Sequence, residues 1–287
     1  MAQLKDIRLV ALDLDDTTLM SDGSLADKTR EAIEAAIGAG IEIVVASGRA
    51  FNSLPESVCS IPGVRYAITS NGAATVSNPG GERIFSLALH PKEVLRVLEL
   101  FDGELMEAFI DGQAYCDSEY LADPERYGCS SRYVSYVQTT RLPQDDMRSF
   151  MLLNIERLDS VDIMCASPEH KTRLWEKTAL LTRSYVTSSS PRLIEISDRN
   201  AGKGAALRRL TQTLGISPQN VAAFGNGDND ADMLVFAGLG AAVENASESC
   251  RAAADIICPS NDEHGVAKIL YRIIEEKHDT RSKTDRY

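Results

Sequence analysis

The segment VALDLDDTTL, residues 10–19, sets Asp13, Asp15 and Asp16 within four positions directly behind an apolar run. In an extended chain residues two apart point the same way, so Asp13 and Asp15 can face one site while Leu14 packs behind them. Like charges so close repel. At the C-terminal end of a parallel strand a hard cation with oxygen ligands would relieve that repulsion. Asp and Thr also start ordinary turns, so the segment alone leaves both readings open.

Four later stretches offer groups suited to an anion or a cation, three of them directly behind apolar runs. VVASGR (44–49) offers the Ser47 hydroxyl, a close-approach Gly48 and the Arg49 guanidinium, a set matched to phosphoryl oxygens. ITSNGA (68–73) supplies Asn71 and Gly72, and NAGKGAAL (200–207) puts Lys203 at a helix start, where free N–H groups favour anions. FGNGDNDADML (224–234) gathers Asn226, Asp228, Asn229 and Asp230, an oxygen cluster suited to a metal. Taken singly, each also reads as a strand-to-helix turn or a solvated surface. A calcium loop over 228–239 fails, because Met233 stands where glycine is required and Leu239 where the bidentate glutamate belongs. The lysine is not part of a Walker loop either, since the G-x-x-x-x-G-K spacing is missing.

The elements that must carry these residues alternate. Residues 7–12, 41–47, 66–70, 221–224 and 254–258 read as buried strands. Between the first two, Ser24 is expected to cap a helix with Thr29, Ala32, Ile33 and Ala36 inward. Further helices are expected over 203–214, near 230–236 and from Val266, with the polar tail from Lys277 fraying. That pattern predicts an α/β fold, a doubly wound, mainly parallel sheet with its site at the carboxyl ends of the strands. From about 84 to 189 the pattern changes. A helix with Val94, Val97, Leu98 and Phe101 inward, an Asp111-Gly112 hairpin and a helix after Pro168 predict an inserted α+β domain. The stretch 117–148 yields no assignment.

Composition narrows the function classes. The 287 residues suffice for two domains, and 44% hydrophobic with 25% charged residues is ordinary globular composition. A formal charge of −12 argues against nucleic acid or an anionic membrane as partner. Six scattered cysteines without a C-x-x-C pair, and four histidines apart from them, argue against zinc. With no leader-like apolar segment at the start, a cytoplasmic protein with reduced thiols is expected. Five tyrosines of the insertion, Tyr115, Tyr120, Tyr127, Tyr133 and Tyr136, are packing groups or substrate contacts.

In chain order, D-x-D-x-T, S-G-R, N-G, K-G and G-N-x-x-N-D resemble the motifs of the haloacid dehalogenase-like superfamily, and most closely its Cof-type phosphatases with a large α+β cap. Residues 245–270 resemble the closing segment of those proteins, and the middle insertion resembles their cap in position and size. The resemblance implies a core of 1–83 and 190–287 interrupted by a cap of 84–189. It implies Mg2+-dependent hydrolysis of a small phosphorylated metabolite, such as a sugar phosphate, through an aspartyl-phosphate, by a monomer or homodimer. Asp13 would be nucleophile and metal ligand, and Asp15 would be acid, then base, lending the metal its carbonyl. Ser47, Gly48, Arg49, Asn71, Gly72 and Asn229 would bind substrate. Lys203 would offset charge, and Asn226 and Asp230 would serve the metal. Asn226 departs from the pattern, since the family usually carries aspartate there. Asp16 stands where glycine is common, and Ser47 where threonine is frequent. Two other readings remain at this stage: a non-catalytic phosphometabolite sensor, favoured by Asn226, and a sugar phosphomutase.

Overall fold

The computed structural model describes residues 6–284, with side chains through Lys277. The chain builds two sheets. The larger runs β1 (Leu9–Leu12), β2 (Glu42–Ala46), β3 (Val64–Thr69), β4 (Ala74–Ser77) and β5 (Arg83–Ser86). The smaller holds β6 (Leu105–Ile110), β7 (Gln113–Asp117), β8 (Arg141–Gln144), β9 (Leu158–Met164), β10 (Ser184–Thr187) and β11 (Leu193–Asp198). The chain then returns to the first sheet with β12 (Val221–Gly225), β13 (Leu239–Val243) and β14 (Ile256–Cys258).

The large sheet has the order β14-β13-β12-β1-β2-β3-β4-β5, and its pairs are parallel except β3–β4 and β4–β5, so β4 alone runs against the rest. β1 lies inside it, and its residues divide by parity. Val10 and Leu12 pack with Ile33 and Ala36 of the helix Asp27–Gly38 and with Ile269 and Ile273 of the helix Gly265–Thr284. Leu9 and Ala11 face Leu207 and Leu210 of the helix Lys203–Leu214 and Met233 and Leu234 of the helix Ala231–Phe236. Burial on both faces is why these strands read as unbroken apolar runs. Ser24 does not cap the first helix, which begins after Ala26; its hydroxyl donates to Asp22 Oδ1 at 2.6 Å instead. The last helix runs from Gly265 to Thr284, through the polar segment that begins at Lys277.

The small sheet, ordered β10-β11-β9-β6-β7-β8, is antiparallel apart from the β7–β8 pair. Its β6–β7 hairpin turns on Asp111 (φ 51°) and Gly112 (φ 84°), both left-handed, as a two-residue turn between twisted strands requires. One face is apolar: Met106, Ala108, Val161, Ile163, Ile194 and Ile196 pack beneath helices. The alternate residues, including Glu107, Phe109, Asp162 and Glu195, face the large sheet's carboxyl edge across a cleft. Sheet membership does not follow the limits expected at 84 and 189, because Arg83–Ser86 belongs to the large sheet and Leu193–Asp198 to the small one. The unassigned stretch 117–148 contains the short helix Ser118–Ala122 and the helix Ser131–Thr140 ahead of β8.

Candidate active site

The residues singled out in the sequence follow β1, β2, β3 and β12, all at one edge of the large sheet. The Asp13 N–H donates to the Phe224 carbonyl at 3.0 Å, which fixes the end of β1 beside the end of β12. The chain then makes one wide turn, Leu14–Thr18, closed by the Leu19 N–H on the Leu14 carbonyl and by the Thr18 hydroxyl on the Asp13 carbonyl at 2.5 Å. Asp16 sits in that turn with φ 55°. Aspartate tolerates the left-handed region better than most residues, which suits it to this place in the turn.

Lys203 lies at the start of its helix with no exposure, and its ammonium donates to Asp13 Oδ1 at 2.7 Å and to Asp230 Oδ1 at 2.6 Å. Burial works against a charged lysine, but the two carboxylates outweigh it and hold the proton well above the ordinary range. Burial and the Asp230 charge raise Asp13, and Lys203 offsets them only in part. Two buried carboxylates against one ammonium leave excess negative charge, and Asp15 adds to it. Oxygen donors with surplus negative charge fit a hard divalent cation. Asp13, the Asp15 carbonyl and Asn226 Oδ1, which accepts from the Thr17 hydroxyl at 3.0 Å, are the donors that would hold it.

Other expected roles change once each polar atom's partner is known. Asp230 is fully buried behind the cleft wall and accepts three hydrogen bonds, from Lys203 at Oδ1 and from the N–H groups of Asn226 and Gly227 at Oδ2, the latter two at 2.9 Å each. It shapes the loop after β12, and Gly225 permits this because a Cβ there would lie 2.4 Å from the Asp230 Cβ. Asn71 and Gly72 do not line the cleft. The Asn71 amide accepts from Asn229 Nδ2 at 2.9 Å and donates to Glu195 Oε1 at 2.9 Å, so it orients Asn229. Gly72 (φ 86°) lets the loop close on Gly202, whose carbonyl oxygen would stand 2.2 Å from any Cβ. Arg49 is not free for an anion either. It grips both oxygens of Asp15 at 2.8 and 2.6 Å and lies over the Tyr136 ring, 4.0 Å from its centre.

Asp13, Asp15, Ser47, Gly48, Arg49, Asn226 and Asn229 all line the cleft, whose volume is about 1040 Å³. From the opposite wall, Arg132 reaches over the turn after β1 and clamps Asp16 at 3.0 and 2.7 Å. Of the five tyrosines, Tyr120, Tyr133 and Tyr136 line the cleft. Tyr115 packs on Phe150, and Tyr127 donates to Glu119 Oε2. Sequence reasoning passed over Arg132, Asp162 and Glu195. The signal for Glu195 was its place between Ile194 and Ile196, an acid on the alternate face of a strand.

Asp162 is 7% exposed and stands between Glu107 and Glu195 in the strand register. Burial first, then Glu195 and Glu107, push its carboxyl well above the usual range, with Arg141 opposing. The folded protein therefore keeps a proton that the unfolded chain releases, and stability drains as pH rises above the unfolded value of 3.8 toward the folded one. Asp162→Asn has no charge to desolvate. It should match the parent near pH 4 and exceed it by about 1–3 kcal/mol at pH 8 in urea unfolding.

Residues 10–270 match the profile of the haloacid dehalogenase-like hydrolases. The chain belongs to that family, and it is an enzyme of the phosphatase class. It is 29% identical over 286 residues to phosphatase YwpJ of Bacillus subtilis, covering 93% of this chain and all of that one. It is 27% identical to the 5-amino-6-(5-phospho-D-ribitylamino)uracil phosphatase YcsE of the same organism, over 92% of this chain and 95% of that one. The solved structure of a haloacid dehalogenase-like hydrolase from B. subtilis superposes with a TM-score of 0.81 at 28% identity, over 92% of this chain and 99% of that one. No helix among the described residues is long and apolar enough to cross a membrane.

Proposed function

We propose that the protein hydrolyses a small phosphate monoester through an aspartyl-phosphate at Asp13, with Mg2+ at the carboxyl edge of the large sheet. The observation that carries this reading is the Asp13–Lys203–Asp230 chain, sealed from solvent except where Asp13 meets the cleft. A carboxylate can attack an anionic phosphate only where cationic charge screens the encounter. Lys203 supplies part of that charge and fixes one Asp13 oxygen, leaving Oδ2 to attack phosphorus. When bound, Mg2+ supplies further screening of the nucleophile and the phosphoryl oxygens. The Ser47 hydroxyl and the Asn229 amide, the latter oriented by Asn71, hold phosphoryl oxygens. Asp15 protonates the leaving oxygen and then takes a proton from the attacking water. Arg49 occupies both Asp15 oxygens, so the incoming ester must first draw the guanidinium away; Arg49 thus meets substrate by exchanging one anion for another.

The wall opposite the catalytic edge serves as a cap, and sheet membership supports residues from about 87 to 198 for it rather than 84–189. Sugar phosphates fit a cleft of this size and polarity, which supports a metabolite rather than a macromolecule as substrate. The test is phosphate release from a panel of monoesters, with and without Mg2+, alongside separation of the organic products. Mg2+-dependent release of inorganic phosphate is the expected result. Isomerised ester without phosphate would mark a mutase, and binding without turnover a sensor.

Asn226 is the neutral member of the proposed donor set. Asn226→Asp adds a charge facing the metal and is expected to lower the half-saturating Mg2+ concentration roughly tenfold, the equivalent of about 1.4 kcal/mol. A titration of activity against Mg2+ reads this, and an unchanged midpoint would remove residue 226 from the metal site.

A further inference from the structure

Across the central strands of the small sheet, Glu107 of β6, Asp162 of β9 and Glu195 of β11 stand directly opposite one another in register. Like charges in that relation destabilise a sheet. All three are at least 93% buried and all line the cleft. Two of them have internal partners. Arg141 binds both Glu107 oxygens at 3.1 and 2.8 Å, and Glu195 accepts from the Asn71 amide and from the Ser189 N–H. On Asp162, between them, only burial and the charges of Glu195, Glu107 and Arg141 act, with no hydrogen bond to its carboxylate from a described residue. A second polar group lies on the same wall: the buried Tyr120 hydroxyl lines the cleft with no nitrogen or oxygen partner among the described residues and only the Cys129 thiol beside it.

We propose that the row is a recognition shelf for a cationic amine, and that the preferred substrates are phosphate monoesters whose leaving group carries one. The inference rests on the phosphatase reading above and names its substrate class. Arg141 is spent on Glu107, and Lys171, which lines the cleft near Glu195, is held by the Ser188 hydroxyl and the Ser190 carbonyl, so neither donates to Asp162; a protonated amine supplies both a charge and donors there. A neutral hydroxyl would supply donors but leave the charge excess in place. Burial and the flanking acids raise the Asp162 carboxyl in the free protein, and an arriving ammonium group reverses that balance. Glu195 ties the shelf to the catalytic edge. One of its oxygens receives the Asn71 amide that orients Asn229, and the same oxygen lies 3.0 Å from where a Cβ on Gly48 would stand. A leaving group projecting from a phosphate held at Ser47 and Asn229 therefore extends toward the shelf.

The experiment compares matched esters with the full-length protein, Mg2+ and pH 7: glucosamine 6-phosphate against glucose 6-phosphate, and phosphoethanolamine against 2-hydroxyethyl phosphate. At least one amine ester is expected to exceed its neutral partner tenfold or more in kcat/KM. Asp162→Asn should cut that ratio at least tenfold, and Asp162→Glu should restore part of it; a ratio is unmoved by general loss of structure. Ratios at or below one in the parent, or a preference that survives Asp162→Asn, would overturn the proposal. Should no ester turn over, including p-nitrophenyl phosphate, the phosphatase reading fails by itself. The same pairs titrated calorimetrically into Asp13→Asn protein then decide the shelf, with equal affinity for amine and neutral esters counting against it.

Discussion

Asp13→Asn is expected to lower kcat on any accepted ester by a factor of roughly 10⁴ or more while leaving the fold intact. The amide is nearly the same size, so the end of β1 keeps its packing, and its oxygen can still accept from Lys203. It has no negative charge with which to attack phosphorus. Because burial and Asp230 already disfavour an ionised Asp13, the variant should unfold at the same denaturant concentration as the parent or higher. Steady-state turnover and urea unfolding measured on one preparation separate these effects. Activity within tenfold of the parent would show that another group attacks.

Lys203→Met should fail in both respects. Removing the ammonium strands the fully buried Asp230 carboxylate and the nearly buried Asp13 carboxylate without their cation, and breaking a buried ion pair from one side costs about 3–5 kcal/mol. Turnover should also fall about 10³-fold or more, since the charge that screens nucleophile from phosphate is gone. The double variant Asp13→Asn with Lys203→Met tells these losses apart. With one stranded carboxylate neutralised, stability should recover relative to Lys203→Met alone, showing coupling of about 1–3 kcal/mol, while activity stays absent. Additive losses of stability would mean that the 2.7 Å contact contributes nothing to the fold.

Much of this was legible in the sequence because it depends on order and periodicity. Unbroken apolar runs such as LVAL and VAAF marked strands buried on both faces, and the polar residues directly behind them marked the edge where a site forms. Asp13, Ser47, Lys203 and Asn229 therefore converge as the reading required. What stayed hidden is which atom already has a partner. That Asp230 accepts from Lys203 and from the N–H of Asn226, and that Arg49 grips Asp15 while no ester is bound, are pairings that spacing does not encode. Asn71 stands one layer behind the cleft, a distance that spacing along the chain does not encode. That Leu193–Asp198 joins the small sheet was not legible either, because its alternating apolar pattern is the same whichever sheet it joins. Arg132 and Asp162 were missed for a related reason: a single charged residue on a helix or strand ordinarily faces solvent, and only the second sheet lying over the first turns them inward.

The most direct measurement is chemical trapping of the covalent intermediate. The protein is mixed with Mg2+ and an accepted ester, reduced with borohydride during turnover, digested and sequenced by mass spectrometry. An acyl phosphate at Asp13 would be reduced to the alcohol, so residue 13 should be recovered as homoserine only when substrate is present. Turnover without any change at residue 13, or with the modification on Asp15 or Asp16 instead, would contradict attack by Asp13.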